Sequence, residues 1–172
     1  MSAIQRDNSP GGERGKAIQA ATRFLQRRAR SEHEIRVKLE EQGFTGEVIS
    51  YVISRLVDTR LVNDARFAAE WVESRSRKAM GPARIRRELR AMGIDEETAG
   101  GAMALLAEDA GGEVPDGALE YARRGLRHMS GQPEGDIRRK LTASLVRRGY
   151  GFAEARRAVS AVMASAAMDT IE

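Results

Sequence analysis

The side chains of this sequence best suited to chemistry are arginines. Arg75, Arg77, Lys78, Arg84, Arg86, Arg87 and Arg90 crowd a stretch that holds one acid, Glu88. A second set, Arg123, Arg124, Arg127, Arg138, Arg139, Lys140, Arg147 and Arg148, follows further along. Arg predominates over Lys, and its planar fork matches the paired oxygens of a phosphate or carboxylate. The chemistry on offer is contact with a polyanion or an acidic protein surface. For any one arginine, solvation explains the charge; for the set, sorted by sign along the chain, it explains less. Between Asp95 and Asp116 the balance reverses, with seven acids and no Lys or Arg. Such blocks make a patterned surface field. No pattern here would read bases, so any contact with single- or double-stranded DNA should run through the backbone and weaken with salt.

Bond-making chemistry has little to stand on. His33 and His128 are the only histidines, and Cys is absent, which excludes disulfides and leaves no metal site to expect. The Gly-Gly pairs at 11–12, 100–101 and 111–112 lack the Lys-Ser/Thr or the strand of a phosphate loop. Glu40-Glu41 and Glu96-Glu97 suit solvent faces or helix starts. Trp71 and Tyr121 occupy matching positions, which points to core packing rather than base stacking. The expectation is a protein that is not an enzyme and needs no cofactor. No apolar run approaches a membrane span, and the first residues lack the apolar stretch of a secretion signal. A soluble, cytoplasmic protein without membrane contact is expected.

Helices must position these cations. The chain is 41% hydrophobic but only 5% aromatic, and rich in Ala, Arg, Glu and Leu, which favour helix. Gly81 to Ile94 reads as one complete helix with its stop. Gly81 and Pro82 suit its start, Ile85, Leu89 and Met92 share a face, and Gly93 suits the left-handed position past its end. Ser31 with Glu34 fits a capping box, and Thr45, Asn63-Asp64, Asp95 and Asp116 suit other helix starts.

Aligned on Gly43, Gly93 and Gly149, the chain repeats. Eight residues before each stands Ile35, Ile85 or Leu141, and four before stands Leu39, Leu89 or Leu145. Directly after comes Phe44, Ile94 or Tyr150, and the third helices match at Ile53, Met103 and Val159. Spacings of 50 and 56 residues fall in the range of repeat architectures. The expected fold is all-α: three tandem three-helix repeats stacked into an elongated, curved monomer. The predicted boundaries are a disordered arm over 1–14, repeats over 15–62, 63–109 and 117–163, a linker over 110–116, and a frayed tail over 164–172.

Leu61-Val62-Asn63-Asp64-Ala65-Arg66-Phe67-Ala68, then Trp71-Val72 and Ser74-Arg75, then Gly81-Pro82, Ile85, Glu88-Leu89 and Gly93-Ile94 resemble the central signature of the bacterial RecX regulators. Ser31-Glu32, Glu34-Ile35, Lys38-Leu39 and Gly43-Phe44, with Leu145 and Arg148-Gly149-Tyr150, are similar to its outer repeats. The match runs over roughly residues 16–163, and the third repeat departs most. The resemblance implies a negative regulator of RecA, active in DNA repair, the SOS response and control of homologous recombination. Such a protein binds in the groove of the RecA–DNA filament and inhibits its ATPase, strand-exchange and co-protease activities. The two cationic sets are the expected contacts with RecA and DNA. The competing reading is a general DNA-binding protein of helix-turn-helix type that acts without RecA.

Overall fold

The structure, a computed structural model, describes residues 10–109, 117–129 and 131–168. These residues form nine helices: α1 (Pro10–Leu25), α2 (Glu32–Glu41), α3 (Gly46–Asp58), α4 (Asp64–Ser76), α5 (Pro82–Ala91), α6 (Glu96–Asp109), α7 (Gly117–Arg127), α8 (Glu134–Arg147) and α9 (Phe152–Met168). No strand occurs among the described residues.

The helices group in threes, each group around its own core. One core runs from Ala17 to Val62, a second from Phe67 to Ala102 and a third from Ala118 to Val162. Each of these buried clusters draws on a single group of three helices, together with the short segments that adjoin them. Leu39, Leu89 and Leu145 are all 0% exposed at matching positions, with Ile35, Ile85 and Leu141 beside them. A leucine buried this way contributes about 2 kcal/mol from area alone. Every pair of helices in extensive contact lies within one group, so the molecule is a row of three units.

The sequence places the stop signals correctly, and all three second helices end alike. Phe44, Ile94 and Tyr150 donate their amides back to Leu39, Leu89 and Leu145, at 3.2, 3.1 and 3.2 Å. Gly43, Gly93 and Gly149 hold φ at 81°, 78° and 96°, the left-handed conformation that closes a helix this way.

Helix limits differ from expectation at both ends. The arm expected over residues 1–14 is helical from Pro10, where a missing N–H costs nothing. Arg14 anchors that turn, with Glu47 at 3.1 Å and its guanidinium 4.3 Å over the Tyr51 ring. The tail expected to fray from 164 continues as helix to Met168, as its alanines favour. Residues 1–9, the predicted linker over 110–116 and residues 169–172 lie outside the described residues.

The units meet through a junction that periodicity does not show. In each case the closing turn of one second helix sits on the start of the preceding one. At the first junction Ser31, 0% exposed, accepts the Glu34 amide at 3.2 Å and donates its hydroxyl proton to the Met92 carbonyl at 2.6 Å. Glu32 N–H donates to the Asp64 carboxylate at 2.9 Å. At the second junction Gly81 stands in the place of Ser31. Its amide donates directly to the Arg148 carbonyl at 2.9 Å, and Ala83 N–H to that of Gly149 at 3.2 Å. Arg148 reaches back to the Lys78 and Ala79 carbonyls at 2.9 and 3.3 Å.

These contacts give the glycines a second duty. A Cβ on Gly93 would overlap the Cβ of His33, and one on Gly149 would lie 2.6 Å from the Arg84 backbone nitrogen. A Cβ on Gly81 would run into the backbone of Gly149. Gly43, whose turn meets no other unit among the described residues, has open space around the same position. The far end of the row is closed differently. Helix α8 starts a turn earlier, Ile137 fills the place of Ser31 and Gly81, and Pro133 at the cap has no N–H to offer.

Two predictions follow from the junctions. Gly43→Ala should cost about 1 kcal/mol, the penalty of a left-handed Cβ. Gly93→Ala should cost roughly 2–4 kcal/mol by adding an overpacking strain to that penalty. Urea denaturation of the two variants compares them, and equal losses would contradict the junction. Asp64 supplies a pH test. Burial, with Asp95 and Glu34 nearby, pushes its carboxyl above the usual aspartate range, against the Glu32 amide that favours the ionised form. A raised folded-state pKa makes the ionised group a cost that fades as pH falls. Asp64→Asn, which keeps an acceptor for Glu32 N–H, should raise Tm at pH 7, and the gain should shrink as pH falls through the raised value and be gone by about pH 3, below the unfolded aspartate value.

Candidate polyanion interface

The structure divides the predicted cations into those held within the protein and those free to meet a partner. Glu88 on α5 gathers two of them. It accepts from Arg75 at 2.6 Å, from Arg84 at 3.0 Å and from the Trp71 indole at 3.2 Å. Arg75 also lies 4.1 Å over the Trp71 ring, which stacks on Phe67. Burial works to raise the Glu88 carboxyl pKa, but the hydrogen bonds from Arg84 and Arg75 hold it below the usual glutamate range. The stabilisation from this cluster is present at neutral pH and is lost as pH falls through that lowered value. Arg75 and Trp71 therefore stitch α4 to α5, while Arg84 holds Glu88 from within α5.

Four further arginines form surface pairs. Arg86 and Arg90 flank Glu96 at 3.3 and 3.1 Å, and Arg77 meets Glu73 at 3.4 Å. Arg139 meets Asp136 at 3.0 Å. Exposed pairs of this kind are worth 0–1 kcal/mol each and can exchange for another anion. Arg138 is tied to Glu134 at 2.7 Å and donates to the Ser160 hydroxyl at 3.2 Å, while Lys140 donates to Gln132 at 2.7 Å. Arg148 lies 4.2 Å over the Tyr121 ring besides gripping the second junction, so it belongs to the scaffold.

Six of the predicted cations make no side-chain ion pair or hydrogen bond with a described residue: Lys78, Arg87, Arg123, Arg124, Arg127 and Arg147. All six are exposed. Lys78 and Arg147 adjoin the second junction in sequence, next to the carbonyls and the guanidinium that form it. Arg87 is one turn along α5 from Arg84, whose backbone packs on Gly149. Arg123 and Arg127 share a stripe of α7, with Arg124 beside them. The geometry therefore moves the weight of the expected surface. Most arginines of the second unit are answered by Glu73, Glu88 and Glu96, and the third unit presents more of the uncommitted charge.

The two junctions also differ in sign. Glu32, Glu34, Asp64 and Asp95 surround the first. Burial, then Asp64, pushes the Glu32 carboxyl up. Burial also opposes ionisation of Glu34, but Arg28 and Arg30 outweigh it and hold that carboxyl low. At the second junction Lys78, Arg84, Arg147 and Arg148 take the corresponding ground.

Sequence reasoning recovered the cations by type but could not separate the two classes. The Arg84–Glu88 and Arg138–Glu134 pairs were legible as i,i+4 spacings. The pairing of Arg86 and Arg90 with Glu96 crosses the Gly93 turn and needs the fold. Arg156 and Arg157 of α9, absent from the predicted set, are also exposed. No group of three or more His, Cys, Asp or Glu that could hold a metal occurs among the described residues. None of their helices is long and apolar enough to cross a membrane.

Comparison with known proteins places this architecture. Residues 17–56 match the first three-helix domain of RecX, and residues 63–103 the second. The chain is similar to the regulatory protein RecX of Mycobacterium sp. (strain KMS), 37% identical over 149 residues, which cover 84% of this chain and 79% of that protein. Against the regulatory protein RecX of Mycolicibacterium vanbaalenii identity is 32% over 165 residues, covering 92% and 88%. The fold is that of the crystal structure of RecX from Lactobacillus salivarius, with a TM-score of 0.77 at 22% identity over 88% of this chain and 97% of the other. With its stop turns, stacked three-helix units and matching relatives, the chain belongs to the RecX family of regulatory proteins.

Proposed function

We propose that this chain is a non-enzymatic, cytoplasmic, monomeric negative regulator of RecA. It lies along the groove of the RecA–DNA filament and inhibits the ATPase, strand-exchange and co-protease activities. The observation that carries this reading is a row of units, held at a set spacing by backbone junctions, with uncommitted cations on its second junction and third unit. A row suits a helical groove, because each unit can meet a successive part of a repeating partner. Arg87, Arg123, Arg124, Arg127 and Arg147 face phosphates of the DNA or acidic side chains of the filament. Such contacts raise the encounter rate and weaken with salt.

The rival reading, a helix-turn-helix protein that reads DNA without RecA, meets an electrostatic obstacle. Its recognition element would be the third helix of a unit. In the second unit that helix, α6, exposes Glu96, Glu97 and Glu108 and has no Lys or Arg. An acidic helix does not enter a phosphate-lined groove.

Charge reversal on one stripe of α7 tests the proposal. Arg123→Glu with Arg127→Glu should raise the concentration needed for half-inhibition of RecA's DNA-dependent ATPase by roughly tenfold, with the thermal melt unchanged. Arg77→Glu, where the pair with Glu73 is already exposed and local, should have the smaller effect. Wild-type inhibition by the α7 double variant would remove the third unit from the contact surface.

A further inference from the structure

The solvent face of α9 carries a feature that neither the regulatory reading nor the backbone contacts use. Phe152, in the first turn of that helix, is 64% exposed and is not part of the third core. It is the most exposed of the large apolar side chains among the described residues. A single exposed ring is ordinary on a protein surface, and what sets Phe152 apart is the charge beside it.

The neighbours of Phe152 are cationic. Steps of four residues along a helix return to one face, and from Phe152 they lead to Arg156 and then to Ser160. The Arg156 guanidinium lies 5.9 Å from the centre of the Phe152 ring. Arg138 of α8, paired with Glu134, donates to Ser160 at 3.2 Å at the far end of the same stripe. Arg157, beside Arg156, is exposed and makes no side-chain ion pair or hydrogen bond with a described residue. Glu154, two residues on from Phe152, accepts the Gly151 amide at 3.3 Å at the start of its own helix.

The other units lack this row. Counted from the stop glycines, Phe152, Arg156 and Ser160 correspond to Gly46, Ser50 and Ser54 in the first unit, and to Glu96, Gly100 and Ala104 in the second. An exposed aromatic ring next to cations, spaced by helical turns, has the two parts that bind a single strand: a flat surface for a base and charges for the phosphates beside it. A duplex offers no free base face, and a purely acidic protein surface has no use for the ring.

We propose that this side of α9 is a binding site for single-stranded nucleic acid, with a base stacked on Phe152, a flanking phosphate held by Arg156, and a further phosphate reached by Arg157 from the adjoining exposed face. The site does not rest on the RecA reading, and its test contains no RecA, so failure here leaves that reading standing.

The test is fluorescence anisotropy of labelled oligo(dT) and of an abasic strand of equal length, titrated with the full chain. Wild type should bind oligo(dT) more tightly than the abasic strand. Phe152→Ala should weaken oligo(dT) binding roughly tenfold, the scale of one lost base stack, and leave the abasic strand unaffected. Arg156→Ala and Arg157→Ala should weaken both strands and each lower the salt slope by about 0.7. Phe152→Trp should retain affinity and have its emission quenched by oligo(dT), relative to a parent whose single Trp is Trp71. The proposal is overturned if wild type binds the two strands equally or binds neither. It is equally overturned if Phe152→Ala, melting like wild type, binds oligo(dT) undiminished.

Discussion

The closing turn of one second helix seated on the opening turn of the one before is the contact on which the row depends. A helix start has amides without partners and a helix end has carbonyls without partners. Setting one on the other satisfies both and opposes the positive end of one macrodipole to the negative end of the next. The Ser31 hydroxyl does this at the first junction and the Gly81 amide at the second. Since no pair of helices from different units is in extensive contact, these few polar contacts carry much of the work of fixing how the units follow one another. Hydrogen bonds tolerate little displacement, so junctions built from them, through side chains at the first and backbone amides at the second, set a definite spacing.

The same contact explains which residues are small. Gly93 and Gly149 answer two demands at once, a left-handed turn and the approach of a neighbouring chain, whereas Gly43 answers only the first. Gly81 serves approach rather than capping, for it makes no side-chain cap and its amide is spent on the next unit. Ala79, held at φ 50° and buried beside the second junction, is a departure from the glycine rule. Its carbonyl is fixed by Arg148, and the surrounding contacts hold a conformation that costs about 1 kcal/mol or more.

Charge is arranged over this frame rather than by it. Carboxylates, two of them buried enough to be pushed up in pKa, predominate at the first junction and guanidinium groups at the second, although the same closing turn is used at both. A partner with regularly spaced anions would therefore meet repulsion at one joint and attraction at the next. Within the second unit the carboxylates of Glu88 and Glu96 take up four arginines, and the field that remains is weighted towards the third unit.

The sequence by itself determined the units. Ile35, Ile85 and Leu141, with Leu39, Leu89 and Leu145, mark the buried faces, and the stop glycines mark the turns, because helical periodicity and left-handed closure are local properties of a chain. It also determined where cations are plentiful. Only the tertiary structure decided which of them are free. Arg86 and Arg90 reach Glu96 across a turn, Arg75 reaches Glu88 from another helix, and Arg148 is committed to the carbonyls of the preceding unit. It alone separated Gly43 from Gly93, and showed Phe152 standing in water with Arg156 beside it. The physical reason is common to all of these: burial, pairing and close approach depend on distances between residues far apart in the chain, and helical spacing does not encode them.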